Sequence, residues 1–361
     1  MAQNSGEVIV VGAGLAGLTA ALNLARDGRE VLVLEKYDQV GGVPVAHPAV
    51  DITPMEAGPL GRFIGVDLGP PQVNACESWN QYMYGYKVPM DLTHVNLKCV
   101  ERGSHETSVD TLLYNSCLEA GVKFEFGKPC VTQGDFAQLP PDTIVATGLL
   151  YEAFEAFHIP YEKVFGYLGR GRTGRESAFC AVWFEDLILD YAYYGASNGI
   201  VFVLYFAREP VRESEFEEWK KKHLEGDEGI RCTSWVYHEG LVPTAIYNNP
   251  RMFAGDKILA GTLAGMMDPF ALFGVHGSLV SGRLAAMAHS DKAGAYALFK
   301  EYTRLFNRNL FMKRFLDRSP VALRKRTMGP QLRFVQQHAE TFRGFMDNFF
   351  MAVPGYRRLP D

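Results

Sequence analysis

Long apolar runs are missing from this sequence. No window of the chain holds the roughly 18 uninterrupted apolar residues that a membrane-spanning helix requires. The first apolar run, Val8 to Val11, leads directly into glycines, which does not fit the apolar region of a secretory signal. We therefore expect neither a membrane span nor a secretion signal.

Paired cysteines are also missing. The six cysteines are scattered along the chain without a C-x-x-C pair, which excludes a zinc ribbon and a dithiol redox motif. We expect no metal site. Scattered cysteines are typical of proteins in a reducing compartment, so we expect a cytoplasmic protein.

The sequence has no overall excess of positive charge, since its formal net charge is -5. The basic residues gather at one end: from Lys300 onward the chain carries 13 Lys and Arg against 5 Asp and Glu. This distribution is not typical of nucleic-acid binding, and we expect none. The basic end also holds Phe342, Phe345 and Phe349 at helical spacing. They are expected to pack in a core, to line an apolar tunnel, or to make a peripheral contact with anionic membrane lipid.

The order of predicted elements indicates an α/β composite fold of more than one domain. A strand, a glycine-rich turn, a helix and a second strand open a Rossmann-like domain, and aromatic strand segments interrupt it further along the chain. Pro320 and Pro330 are expected to break the helices near the C-terminus. The expected divisions are a discontinuous dinucleotide-binding domain (residues 1–60, 100–155 and 250–292), a substrate domain with a mixed or antiparallel sheet (residues 61–99 and 156–249), and a helical C-terminal region (residues 293–361).

The first turn carries the strongest motif, Gly12-Ala13-Gly14-Leu15-Ala16-Gly17, between an apolar strand and a helix. Gly12 permits a tight turn, Gly14 lets the backbone approach a pyrophosphate, and Gly17 allows helix and strand to pack closely. Glu35 follows the second strand, where a carboxylate accepts hydrogen bonds from ribose hydroxyls and repels a 2′-phosphate. The pattern predicts a dinucleotide site that disfavours NADP, but it does not distinguish NAD from FAD.

Further glycine-rich segments resemble those of a known family. Gly41-Gly42, Ala146-Thr147-Gly148, and the stretch from Gly261 through Asp268 to Gly277 together resemble the glutathione-reductase-like FAD fold, in the branch that contains p-hydroxybenzoate hydroxylase and the geranylgeranyl reductases. The resemblance is to geranylgeranyl-reductase-like flavoproteins in particular, through Val100–Gly103, Ser108–Asp110, Glu119–Val122 and Asp268–Ala285. It covers about residues 1 to 50, 100 to 150 and 255 to 290, while the substrate domain matches only loosely.

The resemblance implies that the discontinuous domain binds FAD. Val131 would lie near the adenine, residues 146–148 beside the diphosphate, and Gly274-Val275 would present backbone N–H groups and a positive helix end to the flavin. The residues expected to contact the cofactor are Gly12, Ala13, Gly14, Gly17, Glu35, Lys36, Gly42, Val131, Ala146, Thr147, Gly148, Gly261, Thr262, Asp268, Gly274 and Val275.

The sequence departs from the family pattern at two places. Thr262 stands where the family usually has Asp, and Thr offers a ribityl hydroxyl only a neutral hydrogen bond. Residues 43–47 also lack the cysteine that some archaeal geranylgeranyl reductases carry there. His47 lies in that segment, either as a proton donor near the flavin or as a loop histidine without a catalytic role.

Four more side chains are candidates for proton transfer or substrate orientation. His276 lies in the segment that the resemblance places near the flavin, and Tyr191, Tyr193 and Tyr194 end a strand of the substrate domain. For each tyrosine, packing is the alternative role. The Gly- and Arg-rich stretch 166–175 is expected to form a loop, either a lid or anion-binding segment or a solvated connector.

The combined features predict an FAD-dependent oxidoreductase. The expected reaction transfers a hydride between flavin N5 and a C=C or C–C bond of a largely apolar substrate, either isoprenoid-like or aromatic and polyketide-like. The alternatives are an aromatic hydroxylase that uses NAD(P)H and O2, and a non-catalytic flavin electron-transfer protein. Ala146-Thr147-Gly148 counts against the hydroxylase, because hydroxylases typically carry a D-G motif there. No second dinucleotide fold is evident, and the sequence leaves three electron donors open: transient NAD(P)H, a redox partner protein such as ferredoxin, and a quinol.

Overall fold

The computed structural model describes residues 6–184 and 191–360. In chain order, the strands are β1 (Val8–Val11), β2 (Val31–Leu34), β3 (Ala49–Pro54), β4 (Val73–Ala75), β5 (Ser78–Met83), β6 (Tyr86–Pro89), β7 (Leu97–Arg102), β8 (Lys123–Glu125), β9 (Ile144–Val145), β10 (Glu162–Arg172), β11 (Phe179–Phe184), β12 (Tyr191–Ser197), β13 (Ile200–Ala207), β14 (Ser234–Val242), β15 (Phe253–Ala254) and β16 (Lys257–Leu259). The helices are α1 (Leu15–Arg26), α2 (Ala57–Ile64), α3 (Val109–Glu119), α4 (Gln133–Gln138), α5 (Tyr151–Ala156), α6 (Glu213–Trp219), α7 (Val275–Met287), α8 (Lys292–Thr303), α9 (Phe306–Arg318), α10 (Val321–Gln337) and α11 (Ala339–Phe350). The α/β composite predicted from the sequence is confirmed.

A six-stranded sheet carries the N-terminal motif. Its order is β15-β16-β9-β1-β2-β8, and every pair from β16 to β8 is parallel. The strands come from three separate stretches of the chain. Parallel strands end at the same edge of a sheet, so the turns that follow β1, β9 and β16 gather at one edge.

Helix α1 packs between this sheet and α7. A Cβ atom on Gly282 would lie 2.4 Å from the Ala16 carbonyl oxygen, so only glycine lets α7 approach α1 this closely. Residues 15 to 24 of α1 are all buried. The N-termini of α1 and α7 are thereby held in one buried layer beside the edge of the sheet.

A seven-stranded sheet, β14-β10-β13-β12-β11-β5-β6, forms the second layer. Side chains alternate between the two faces of a strand, and in the central strands β11, β12 and β13 the side chains of both faces are buried. Trp183, Tyr194 and Tyr205 pack on one face with Phe216 and Trp219 of α6. Side chains on the other face, such as Tyr191, Tyr193 and Phe206, pack toward the rest of the molecule. A third sheet, β3-β7-β4, contacts β12 and β13 on that second face.

Two sequence predictions about local structure are wrong. Most of the expected loop 166–175 lies within β10, which pairs with β13 along one edge and β14 along the other, so ladder hydrogen bonds override its glycine content. Pro330 does not break a helix, because α10 runs through it. Pro330 has no N–H to donate, so the carbonyl four residues earlier lacks its helical partner. Because Pro330 is exposed, water can solvate that carbonyl. The aromatic stretch 181–194, whose composition predicts one strand, falls on the two strands β11 and β12, and its residues 185–190 lie outside the described residues.

The helices α9, α10 and α11 close the fold on the side of the second sheet. Asn309 of α9 donates from Nδ2 to the Asp268 carboxylate at 2.8 Å, and both side chains are buried. This bond ties the C-terminal helices to the loop that precedes α7. Among the described residues, none of the helices combines the length and the apolar character needed to cross a bilayer.

The C-terminal segment is anchored on His276 of α7. His276 is fully buried, and its Nδ1 lies 2.9 Å from the Pro354 carbonyl oxygen. A carbonyl only accepts, so Nδ1 carries the proton and donates. Nε2 has no partner among the described residues. Burial lowers the pKa of His276 from 6.5 to about 4, so the ring is neutral in the folded protein at neutral pH.

We predict an acid-sensitive contribution to stability from His276. The unfolded chain binds a proton near pH 6.5 and the folded chain only near pH 4, so stability is lost as pH falls through this window. Between pH 7 and pH 4 the wild-type protein should lose about 3 kcal/mol more free energy of unfolding than His276→Asn. Asn retains a donor near the Nδ1 position but does not titrate. Urea denaturation at a series of pH values measures the difference, and equal slopes for the two proteins would contradict it.

Candidate active site

One cavity of about 1010 Å³ connects the edge of the first sheet with the second sheet and the C-terminal helices. Its first end is lined by the turns after β1, β2 and β9. Its middle is lined by Gly261, Thr262 and the residues around Gly274. Its far end is lined by the inner face of the second sheet and by α9, α10 and α11. The segments that the sequence singled out are thus brought together around one space.

The turn after β1 has the geometry of a phosphate-binding site. A Cβ atom on Gly17 would lie 1.8 Å from the Gly12 carbonyl oxygen, so a side chain there would push α1 away from the turn. Gly12 itself has φ = +101°, in the region that favours glycine. Gly14 differs, because a Cβ atom on it would meet nothing within 4 Å. The backbone at Gly14 therefore faces open space where the positive N-terminus of α1 begins.

Glu35 lies at the end of β2 and fixes the same turn. Its carboxylate accepts hydrogen bonds from the backbone N–H groups of Ala13 at 2.6 Å and Tyr37 at 2.9 Å. The side chain lines the cavity although the residue is almost fully buried. Burial raises the pKa of Glu35, and the two N–H donors oppose that rise. Lys36 also lines the cavity and lies 3.6 Å from Glu152.

The residues present fit an extended dinucleotide such as FAD. Thr147, at the end of β9, lines the cavity, and its buried Oγ1 has no hydrogen-bond partner among the described residues. A buried hydroxyl without a partner is costly, and a bound polar ligand would satisfy it. The open backbone at Gly14 and the length of the cavity are consistent with the same ligand. The predicted cofactor residues that line the cavity are Gly12, Gly14, Glu35, Lys36, Gly42, Ala146, Thr147, Gly148, Gly261, Thr262, Gly274 and Val275.

Four predicted cofactor residues lie outside the cavity lining. Ala13 and Gly17 lie behind the turn and shape it. The expectation for Asp268 needs correction: its carboxylate is buried and accepts from the Ala271 N–H at 2.7 Å and from Asn309, so it organises the loop before α7. Val131 precedes α4, and its N–H donates to Asp135 at 3.0 Å, while its neighbour Cys130 lines the cavity, so its place near the adenine stays a prediction.

His47 lies at the cavity beside Gly42. A Cβ atom on Gly42 would lie 3.9 Å from His47 Nε2. The Nδ1 atom of His47 is buried and has no partner among the described residues. Burial lowers the pKa of His47, and the nearby Arg102 charge lowers it further. Arg170 of β10 donates to the His47 carbonyl at 2.8 Å, which holds this loop against the second sheet.

Tyr193 belongs to a charged network at the cavity wall. Its hydroxyl donates to Asp51 Oδ1 at 2.9 Å, and Asp51 Oδ2 lies 3.3 Å from Arg102. Arg102 binds the buried Asp110 through two nitrogens, at 2.7 and 3.1 Å. Burial and the Asp51 charge raise the pKa of Tyr193, so this phenol is a poor acid. The geometry favours an orienting role for Tyr193.

The other two candidates differ in position. The Tyr191 hydroxyl donates to the Ala271 carbonyl of the loop before α7 at 2.7 Å, and the Tyr191 side chain lines the cavity. His276 does not line the cavity, because it lies on the opposite face of α7 against Pro354. The expected proton-transfer role of His276 is therefore corrected to a structural one.

The far end of the cavity is a largely apolar chamber. Branched and aromatic side chains of the second sheet form one wall, and the C-terminal helices form the other. The apolar residues that define it are Ile52, Trp79, Leu168, Val182, Phe184, Phe202, Leu204, Phe206, Met312, Leu316, Met328, Leu332, Val335, Phe345, Met346, Phe349 and Phe350. Such a wall binds an apolar molecule by excluding water from its surface.

Sequence reasoning missed a cluster of thiols. Cys76 and Cys180 lie 104 positions apart in the chain, yet their sulfurs approach to 3.6 Å, and hydrogen bonds from Cys180 and Cys99 lower the pKa of Cys76. The strands β7 and β11 bring them together, so no local spacing signals the cluster. Among the described residues, no group of His, Cys, Asp and Glu side chains is arranged to hold a metal ion.

Comparison with known proteins supports the N-terminal motif. Residues 10–45 match the model of the NAD(P)-binding Rossmann-like domain. The chain is 44% identical over 61 residues to the flavin-containing monooxygenase FMO GS-OX2 of Arabidopsis thaliana. That match covers 17% of this chain and only 13% of the relative, so the chain spans a small part of that relative's length.

Solved structures match nearly the whole chain at low sequence identity. A geranylgeranyl bacteriochlorophyll reductase-like protein from Thermoplasma acidophilum superimposes with a TM-score of 0.66 and 13% identity, over 95% of this chain and 100% of that one. The p-nitrophenol 4-monooxygenase PnpA from Pseudomonas putida superimposes with a TM-score of 0.64 and 16% identity, over 96% and 98%. This chain therefore has the fold of the FAD-dependent oxidoreductases, in the form shared by geranylgeranyl-reductase-like proteins and aromatic monooxygenases, as its motifs predicted.

Proposed function

We propose that this protein binds FAD and catalyses hydride transfer between flavin N5 and a carbon-carbon bond of a largely apolar substrate, most simply the reduction of an isoprenoid-like C=C bond. The observation that carries the proposal is the single cavity that joins the open backbone at Gly14 to the apolar chamber. A cofactor bound at the first end would extend toward a substrate bound at the far end.

The residues at the first end would hold the two halves of the cofactor. The N-terminus of α1 would bind its diphosphate, Glu35 an adenosine ribose, and the N-terminus of α7 at Gly274-Val275 the flavin ring. FAD, when bound, supplies two-electron hydride chemistry. The protein supplies position and an environment from which water is excluded.

The residues at the junction of the two ends would orient the substrate and move a proton. Addition of a hydride to one carbon of a C=C bond requires a proton at the other. His47 is the candidate proton donor, because it lines the cavity and its Nδ1 has no partner among the described residues. The network of Tyr193, Asp51 and Arg102 would fix the side of the chamber where the substrate lies.

A monooxygenase is the second candidate. The similarity to PnpA is nearly as extensive as that to the reductase-like protein. The apolar chamber and the absence of Asp before Gly148 favour the reductase, because hydroxylases typically carry a D-G motif at that place. A non-catalytic flavin electron-transfer protein would not need so large an apolar chamber.

The two glycines of the first turn provide a matched test of cofactor binding. Gly14→Ala should fold as well as wild type, because its Cβ meets no protein atom, yet it should bind FAD at least about 10-fold more weakly by filling the space of the diphosphate. Gly17→Ala should instead lower the melting temperature, because its Cβ overlaps the Gly12 carbonyl. FAD titration by fluorescence and thermal denaturation measure the two effects. Unchanged FAD affinity in Gly14→Ala would contradict the proposed site.

The reaction class is tested by reducing the FAD-loaded protein with dithionite under anaerobic conditions and adding isoprenoid substrates with one or more C=C bonds. We expect the flavin to be reoxidised, which restores the absorbance of its oxidised form, and mass spectrometry should find a product heavier by two hydrogens. The same mixture in air should give peroxide but no hydroxylated product. A hydroxylated phenol from an aromatic panel with NAD(P)H and O2 would instead establish the monooxygenase.

The proton-transfer role of His47 predicts a pH dependence. Because the pKa of His47 is lowered, its protonated form is scarce at neutral pH, and the rate of C=C reduction should rise as pH falls toward that pKa. His47→Gln should lower the rate at least about 100-fold and remove this rise. His289→Gln is the matched control, since burial also lowers the pKa of His289, but it lies at the end of α7 remote from the cavity lining. A pH profile that His47→Gln leaves unchanged would exclude the role.

A further inference from the structure

The helices α9, α10 and α11 carry an unusual set of exposed apolar side chains. Among the described residues, every exposed phenylalanine lies on these three helices. We name as the C-terminal face the exposed large apolar residues of these helices, which are Phe311, Phe315, Val321, Leu323, Phe334 and Phe345, with exposures from 45% at Val321 to 64% at Phe315. Isolated apolar residues are common on protein surfaces, but such a concentration marks an interaction surface.

The charge of the same helices complements an anionic partner. Between Phe306 and Phe350 the chain carries nine Lys and Arg against three Asp and Glu, although the whole chain is acidic. The exposed Arg318, Arg326 and Arg333 make no salt bridge within the described residues. A basic helical surface with large apolar side chains is the pattern of a helix that lies in a bilayer interface.

The arrangement along α10 supports this pattern. Leu323 and Phe334 are eleven residues apart, or about three turns, so they lie on one side of the helix. Arg326 and Arg333, seven residues apart, lie on the adjoining side. The opposite side carries Met328, Leu332 and Val335, which line the apolar chamber. The helix therefore has one apolar side toward the chamber and a second, bordered by arginines, toward the exterior.

The chamber opens through the same region. Gln331 of α10 and Phe345 of α11 both line the cavity and are both exposed, and Phe345 is 58% exposed. An opening therefore lies between α10 and α11, within the C-terminal face. An apolar molecule that leaves a bilayer there would enter the chamber without crossing water.

We propose that the C-terminal face docks on the surface of an anionic lipid bilayer, with the opening between Gln331 and Phe345 turned toward the lipid. Phenylalanine side chains would enter the interface, and the arginines would contact anionic headgroups. The docking does not depend on the reaction. Only the use of this opening by the substrate rests on the proposed function.

The test is flotation of the full-length, FAD-loaded protein with two kinds of vesicle, phosphatidylcholine alone and phosphatidylcholine with 30% phosphatidylglycerol. The wild type should bind the anionic vesicles and lose binding at high salt. Arg326→Glu/Arg333→Glu should weaken that binding by at least roughly 30-fold, as expected for the loss of two basic contacts. Phe334→Ser/Phe345→Ser should weaken it at least about 10-fold.

Matched controls lie on the dinucleotide-binding side of the molecule. Leu118→Ser and Arg62→Glu replace exposed residues of α3 and α2, and they should bind anionic vesicles as the wild type does. Flavin absorbance and melting temperature verify that each variant is folded and loaded. These readouts also separate the two proposals, because a protein that fails to bind FAD can still bind vesicles.

Three outcomes would overturn the docking proposal. The first is no binding of the wild type to anionic vesicles at low salt. The second is an equal loss of binding in the control variants. The third is self-association of the wild type, detected by sedimentation, that Phe334→Ser/Phe345→Ser abolishes without any vesicle binding, since the C-terminal face would then be a contact between two copies of the chain.

Discussion

The close contact between the first turn and α1 is the constraint on which the site depends. Because Gly17 has no side chain, the Gly12 carbonyl can lie against α1, and because Gly282 has none, α7 can lie against Ala16. These two contacts place two helix N-termini at the same cavity. One of them faces the end of β1, and the other follows the loop of Asp268 to Gly274. A dinucleotide bound along the edge of the sheet would have one positive helix end near each half.

The parts of this arrangement that the sequence predicted are those encoded by short segments. A strand, three glycines and Glu35 in register are sufficient to predict the first turn, because each element constrains its neighbour. The strand pairings of the second sheet were not predictable from the sequence. The composition of segment 166–175 is typical of a loop, and most of it becomes part of β10 only because β13 and β14 pair with it. The cluster of Cys76, Cys99 and Cys180 likewise depends on contacts between distant strands.

The predictions that failed at the site share one cause. Sequence position indicates that a residue is near the cofactor, but not on which side of its element it lies. His276 is one residue after Val275, and the helix turns it away from the cavity toward Pro354. Asp268 is likewise next to Met267, which lines the cavity, while its own carboxylate is directed to Ala271 and Asn309. Strand alternation has the same effect on the tyrosines, since Tyr193 faces the chamber and Tyr194 faces α6.

The buried bond between Asp268 and Asn309 gives the C-terminal helices a part in the site. Burial raises the pKa of Asp268, and the donors Ala271 N–H and Asn309 Nδ2 stabilise its charged form. Loss of either donor would leave a buried carboxylate short of partners, which is costly. Asn309 of α9 therefore helps to fix the loop that leads to Gly274, which Tyr191 of β12 also holds through the Ala271 carbonyl. Because α9 also lines the chamber through Met312 and Leu316, this one helix contacts both the space that would hold an apolar substrate and the loop that would contact the flavin.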